Sequence, residues 1–299
     1  MVIPCVELAP AIDALVDLLG FRLDMIMPAD DPVIAELSGH GLRLRLDASD
    51  SALRDVGVGR AGMVYRDLLP GRLGGRFIAS HITIADGGPV PDYVHYHDVR
   101  YQSIHCIRGW VRVVYEDQGP PFVLEPGDCV LQPPGIRHRV LESSPGLEVV
   151  EVGAPAAHPT RVDHDLRLPT SEIRPERTFG GQRFVHHRAS EGTPQPWRAE
   201  GFECVDTGID AATGGLAGAR TVRSTVAGSS TEPLTHDGEL LFWYVVDGRA
   251  ALAVDGRPDE HLSAGVALAV PPGVAHRLKD AEQLELLEIT LPGSLPASG

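Results

Sequence analysis

The 299-residue chain is 43% hydrophobic and 22% charged, the balance of a globular protein long enough for about two ordinary domains. Its net charge is −15, with one lysine, Lys279, among 26 basic residues and no basic run, which argues against a nucleic-acid partner. No stretch approaches the roughly 18 apolar residues of a membrane span, and Glu7, Asp13 and Asp17 argue against a secretory leader.

In chain order, Ala9 to Gly20 carries helical spacing (Leu8, Ile12, Leu15, Leu18, Leu19) and stops at a glycine. Phe21–Met27, Val33–Ser38 and Gly41–Leu46 then read as three strands. From Gly74-Gly75-Arg76-Phe77 to Val150 the pattern is short strands between Gly and Pro turns. Within it Ser103–Arg108, Gly109 and Trp110–Tyr115 read as a hairpin. Residues 156–212 are rich in Pro, Arg and Thr and form a connection with a few strands. Here Phe179-Gly180-Gly181-Gln182-Arg183-Phe184 echoes the earlier Gly-Gly-Arg-Phe. From Gly214-Gly215 to Leu291 the first pattern returns at an offset near 139. Its counterpart hairpin is Leu241–Val246, Asp247-Gly248 and Ala250–Val254. Such an offset indicates duplicated domains rather than a solenoid.

The first copy concentrates ligating side chains. His95 and His97 lie two apart on a strand, so both imidazoles face one way. Gln102, five residues on, and His138, in Pro133-Pro134-Gly135-Ile136-Arg137-His138, can join them from neighbouring strands. Three imidazoles and an amide oxygen suit one first-row divalent metal. A neutral donor set leaves the full 2+ charge on the ion and favours an anionic ligand. In the second copy the matching positions are Leu234, His236, Leu241 and His276, so that copy is expected to be metal-free, with Glu239 two residues from the ligand position. Near the first site, Cys106 shares the inward parity of Gln102, and Arg137 and Arg112 are candidates to pair a substrate carboxylate. Tyr96, Tyr101 and His105 fall on the opposite face by alternation. Cys5, Cys106, Cys129 and Cys204 are scattered without a CxxC, as in a reduced, cytoplasmic protein.

His95-x-His97, four residues, Gln102, six residues, Gly109 resembles the first cupin motif, with Gln where most members have Glu. Gly127, five residues, Pro133-Pro134-Gly135, two residues, His138 resembles the second motif, with Glu142 in place of the usual Asn. Gly265 to His276 repeats the second motif, so the chain resembles a bicupin. Ile3 to Leu46, with Leu19-Gly20-Phe21-Arg22, resembles one βαβββ module of the vicinal-oxygen-chelate (glyoxalase/bleomycin-resistance) family; Glu7 is its one candidate ligand, and a structural or dimerising role is expected. The resemblance implies a mainly β chain: a βαβββ module (1–55), a metal-binding jelly-roll barrel (60–155), the connection (156–212) and a second barrel (213–295).

It implies an enzyme with His95, His97, His138 and Gln102 as ligands and Gln102, Arg137 and Cys106 as catalytic candidates. The leading expectation is an iron(II)-dependent dioxygenase taking a small anionic, chelating organic substrate and O2. Zn, Mn, Ni or Co would serve a non-redox isomerase, cyclase or lyase. A non-catalytic small-molecule-binding cupin is the third reading. A homodimer paired through the N-terminal module fits any of them.

Overall fold

The computed structural model describes residues 1–49 and 62–295. The chain is mainly β and divides into two compact units, residues 1–126 with 131–184, and residues 127–130 with 185–299. The boundary expected between 55 and 60 lies outside the described residues. No helix among the described residues is long and apolar enough to cross a membrane.

The first unit is built on two sheets. One runs, strand by strand, Val2–Pro4, Leu42–Asp47, Ile34–Gly39, Arg22–Met27, Thr160–Val162, His95–His97, His138–Ser143, Val111–Tyr115 and Phe122–Leu124. The other contains Tyr101–Arg108, Leu147–Ala154, Ile78–Ile84 and Val64–Asp67 in that order. These segments are rich in Val, Ile and Tyr, the residues that fit a pleated, half-buried surface.

The N-terminal β-α-β-β-β order appears as read, with Val2–Pro4 parallel to Leu42–Asp47. Its sheet does not end there. Ile26 pairs with Thr160, and Thr160 pairs with His97, so the N-terminal strands continue edge to edge into the strand that carries two of the histidines. Thr160–Val162, expected within a connection, is the strand that joins them.

The helix differs from its expectation. Leu8–Asp13 is α-helical, but Ala14–Leu18 widens into a π-turn. A wider turn shifts the angular phase of the residues after it. Leu8 stays buried against Phe21, Leu37 and Leu46, while Leu18 and Leu19, read as the same apolar face, end up 81% and 57% exposed.

Both expected hairpins are overturned. Tyr101–Arg108 pairs with Leu147–Ala154 in one sheet, and Val111–Tyr115 pairs with His138–Ser143 in the other. Gly109 is the corner where the chain passes from sheet to sheet. In the second unit Leu240–Val254 runs as one strand through Asp247 and Gly248, paired with His276–Leu291 on both sides of a register shift. A run of alternating residues, a glycine and a second run describe a bent strand as well as a turn. Gly109 and Gly248 take φ of +73° and +74°, and a Cβ on Gly248 would strike the Gln283 carbonyl of the partner strand. Gly248→Ala is therefore expected to cost at least ~2 kcal/mol in chemical denaturation, from left-handed strain plus the clash. A loss under about 0.5 kcal/mol would show that the corner relaxes freely.

Candidate metal centre

His95 and His97 project from the same face of their strand because side chains alternate. His138 lies directly opposite His95 across an antiparallel pair, so it projects to that face as well. One ring nitrogen from each of the three lies within 4.8 Å of the other two, and all three residues are buried. Ring centroids are 4.2 Å apart for His95 and His138 and 5.2 Å for His97 and His138.

The opposite nitrogens are engaged. His95 Nδ1 donates to the Tyr93 carbonyl at 2.8 Å, and His138 Nδ1 donates to the Ile136 carbonyl at 3.0 Å. A carbonyl only accepts, so both rings carry a proton on Nδ1, which makes Nε2 the nitrogen that would ligate an ion. His97 Nδ1 meets Thr160 Oγ1 at 3.0 Å. Asp92, whose Oδ2 accepts from the Val140 amide at 2.9 Å, also sits 3.7 Å from His95 Nδ1. Partners of this kind fix the tautomer and ring plane of metal-binding histidines.

Gln102 approaches from the second sheet. It faces Gly153 across the pair. Its Nε2 donates to Glu151 Oε1 at 2.9 Å, which fixes the amide orientation, and its buried Oε1 has no hydrogen-bond partner. An orphaned buried acceptor is costly unless something satisfies it. The three converging histidine nitrogens suit one divalent cation; Gln102, on the facing sheet, does not line the cavity beside them.

A cavity of about 80 Å³ opens beside the histidines, several times the ~10–15 Å³ that one water needs. His95, His97, His138, Gln132, Tyr115 and Glu151 form its polar end. Gln132 donates to the Tyr115 hydroxyl at 3.0 Å, and burial pushes the Tyr115 phenol well above its usual range, so it is a neutral group.

Comparison with known proteins bears on the fold. Residues 222–290 match the cupin-domain family Cupin_2. Oxalate decarboxylase from Bacillus subtilis, at pH 4.6, superposes with a TM-score of 0.54 at 16% identity, over 75% of this chain and 70% of that one. A deletion mutant of that enzyme gives 0.58 at 17% identity, over 79% and 74%. A structure of the same enzyme concerned with its Mn(II) centres gives 0.56 at 16% identity, over 76% and 72%. The fold is the cupin fold. Among curated proteins none matches this sequence.

The second cupin keeps the frame and changes the contents. Gly273 N bonds the His236 carbonyl as Gly135 N bonds that of His97, and His276 Nδ1 is held by the Val274 carbonyl as His138 Nδ1 is by Ile136. His236, however, turns Nε2 to the Val270 carbonyl at 2.9 Å, and its ring centroid stands 6.3 Å from that of His276. Leu234 and Leu241 hold no ligating atom. Burial pushes the His276 imidazole below its usual range. Glu239 is exposed, whereas the acidic group inside this cupin is Glu288.

Pairing register shows what sequence alone missed. Glu151 sits opposite Ile104, and Glu288 opposite Trp243, so the two glutamates occupy the same place in their cupins. In the first, Glu151 holds the Gln102 amide. In the second, Glu288 accepts from Trp243 Nε1 at 2.9 Å, Trp197 Nε1 at 3.4 Å and Arg198 at 2.5 Å. The neutral donor set read from the sequence therefore has a carboxylate close by, bonded to the Gln102 amide. Glu151 lies 49 residues from Gln102 and belongs to neither motif, so strand pairing alone reveals it.

Two residues expected in catalysis stand elsewhere. Arg137, adjacent to His138 on the chain, points the other way. Its guanidinium lies 4.1 Å from the Tyr96 ring centroid and 3.0 Å from Asp163, outside the cavity lining. Cys106 is buried, donates from Sγ to the Gly109 carbonyl at 3.7 Å at the strand corner, and does not line the cavity. Arg112 is paired with Glu142 at 2.6 Å on the outside. His158, unmarked in the sequence, packs its ring 5.5 Å from that of His97 but lies outside the convergent group.

Thr160→Val keeps the strand and removes the partner of His97 Nδ1. Metal affinity is expected to fall about 10–100-fold by isothermal titration, the usual effect of losing such a partner. Unchanged affinity would show that the strand alone orients His97.

Proposed function

We propose that this protein is a metal-dependent bicupin enzyme whose first cupin holds one divalent ion through His95, His97, His138 and Gln102. The mutual approach of the three buried histidine nitrogens carries the reading, and the partnerless Gln102 oxygen supports its place as the fourth donor. A bound ion would act there as a Lewis acid or redox centre for a chelating substrate. The chain's own groups do the rest. Tyr93, Ile136 and Thr160 hold the three rings in place, Glu151 sets the Gln102 amide, and the surrounding side chains limit water.

Within that reading we favour oxygen-consuming chemistry with iron(II), because a neutral donor set supports anionic chelation and the cavity is largely apolar. One observation favours a non-redox rival with Mn, Zn, Ni or Co. Glu151 brings to the cavity a carboxylate able to take a proton from substrate, the base that the ligand set lacks. The Bacillus subtilis neighbours are decarboxylases with Mn(II) centres. We assign Arg137 and Cys106 no catalytic role.

The test loads the full chain with iron(II) or manganese(II). It then offers oxalate, 2,4-pentanedione and 1-phenyl-1,3-butanedione in an oxygen-electrode cell and under nitrogen. Dioxygenation predicts oxygen uptake matching substrate loss and no turnover under nitrogen. Equal turnover under nitrogen would replace it with the non-redox reading.

A further inference from the structure

The cavity beside the metal centre is elongated and graded. Tyr115, Val113 and Val111 line it from one strand, and Glu151, Val149 and Leu147 from a strand of the other sheet. In each set the positions alternate, as expected for side chains facing a shared interior. Tyr115 lies at the level of His138, its direct partner, whereas Val111 lies four residues further along. At the usual rise that is about 13 Å of strand. The histidines, Gln132, Tyr115 and Glu151 therefore gather at one end, and mostly aliphatic side chains, Ile84 and Ile104 among them, line the rest, where Tyr65 stands level with Val149 and turns its hydroxyl to the Met63 sulfur.

Charge is distributed just as unevenly. Among the described lining residues Glu151 is the carboxylate, and none is Lys or Arg. Arg137 pairs with Asp163 and Arg112 with Glu142, and neither lines the cavity. A second negative group on a ligand would find no cation among these walls and would face Glu151.

We infer that this cavity binds a molecule with one singly anionic chelating head and an apolar, aryl or branched-alkyl body that runs toward Val111 and Leu147; the inference rests on the metal centre proposed above. The head meets the ion between the histidines. The body replaces water along the aliphatic walls, where burial of apolar area supplies affinity that a bare dianion cannot gain. The distinction matters because a small dianion is the ligand that the structural neighbours' name suggests.

The test is calorimetric and uses the full chain. Manganese(II) is titrated first, and the loaded protein is then titrated with benzohydroxamate, acetohydroxamate and oxalate. The expected result is one bound ion, benzohydroxamate at least tenfold tighter than acetohydroxamate, and oxalate weaker than benzohydroxamate. Val113→Thr, nearly isosteric, is expected to weaken benzohydroxamate several-fold and leave metal uptake and acetohydroxamate unchanged. Metal uptake followed by oxalate or acetohydroxamate binding as tightly as benzohydroxamate would overturn this inference alone. No uptake in the first titration would overturn the metal centre and the inference with it.

Discussion

His97→Ala and His138→Ala, made singly, are each expected to lower divalent-metal affinity by at least ~100-fold, while His236→Ala leaves it unchanged. Loss of a mere outer partner of a ligand typically costs 10–100-fold; removal of a ligand should exceed that. The three nitrogens lie within 4.8 Å of one another, so each alanine leaves only two of the three proposed imidazole donors. His236 is the matched control. It holds the place of His97 in the second cupin, but its Nε2 is committed to the Val270 carbonyl. Metal content of the purified proteins and isothermal titration with manganese(II) or iron(II) read the effect. Equal loss in His236→Ala would place the ion in the second cupin.

The second large effect lies away from that centre. Glu288 is fully buried, and its carboxylate is held by Arg198 at 2.5 Å, by the indoles of Trp243 and Trp197, and at 3.8 Å by Arg220. Removing one partner of a buried ion pair costs about 3–5 kcal/mol, because the remaining charge is left in a low dielectric. The Arg198 side chain is 31% exposed, so water reaches part of the space it would vacate. The lower end, about 3 kcal/mol, is therefore expected for Arg198→Ala. Adding Glu288→Gln should recover part of the loss by removing the unpaired charge, although its single amide oxygen accepts from one indole where the two carboxylate oxygens serve both. Two of the chain's 3 tryptophans touch this carboxylate, so tryptophan fluorescence in a urea titration reports the unit directly. A change under about 1 kcal/mol would mean that the pair behaves as a surface ion pair.

Much of the site was legible because its signals are local. His95 and His97 share a face by parity, and the Pro-Pro-Gly turn delivers His138 to the neighbouring strand. The residues that escaped are those whose place depends on pairing between distant strands. Glu151 and Asp92 stand in no motif, and Thr160 lay in what reads as a connection. Arg137 was misjudged although parity argues against it: it follows Ile136 and precedes an inward His138, so it leaves for the outer face, where Tyr96, likewise between two inward histidines, receives it. The hairpins failed for a different reason. A positive-φ glycine permits a turn or a corner, and only the partner strand decides. Leu18 and Leu19 show the same limit in the helix, where one π-turn rotates a predicted face off the core.

The most direct test of the centre is X-ray absorption at the metal edge of the full chain loaded with one equivalent of manganese(II) or zinc(II). Three imidazoles with nitrogen, plus oxygen, at about 2.0–2.2 Å for zinc would agree with His95, His97, His138 and Gln102 as ligands. A shell of one imidazole or none, or one containing sulfur, would contradict the account.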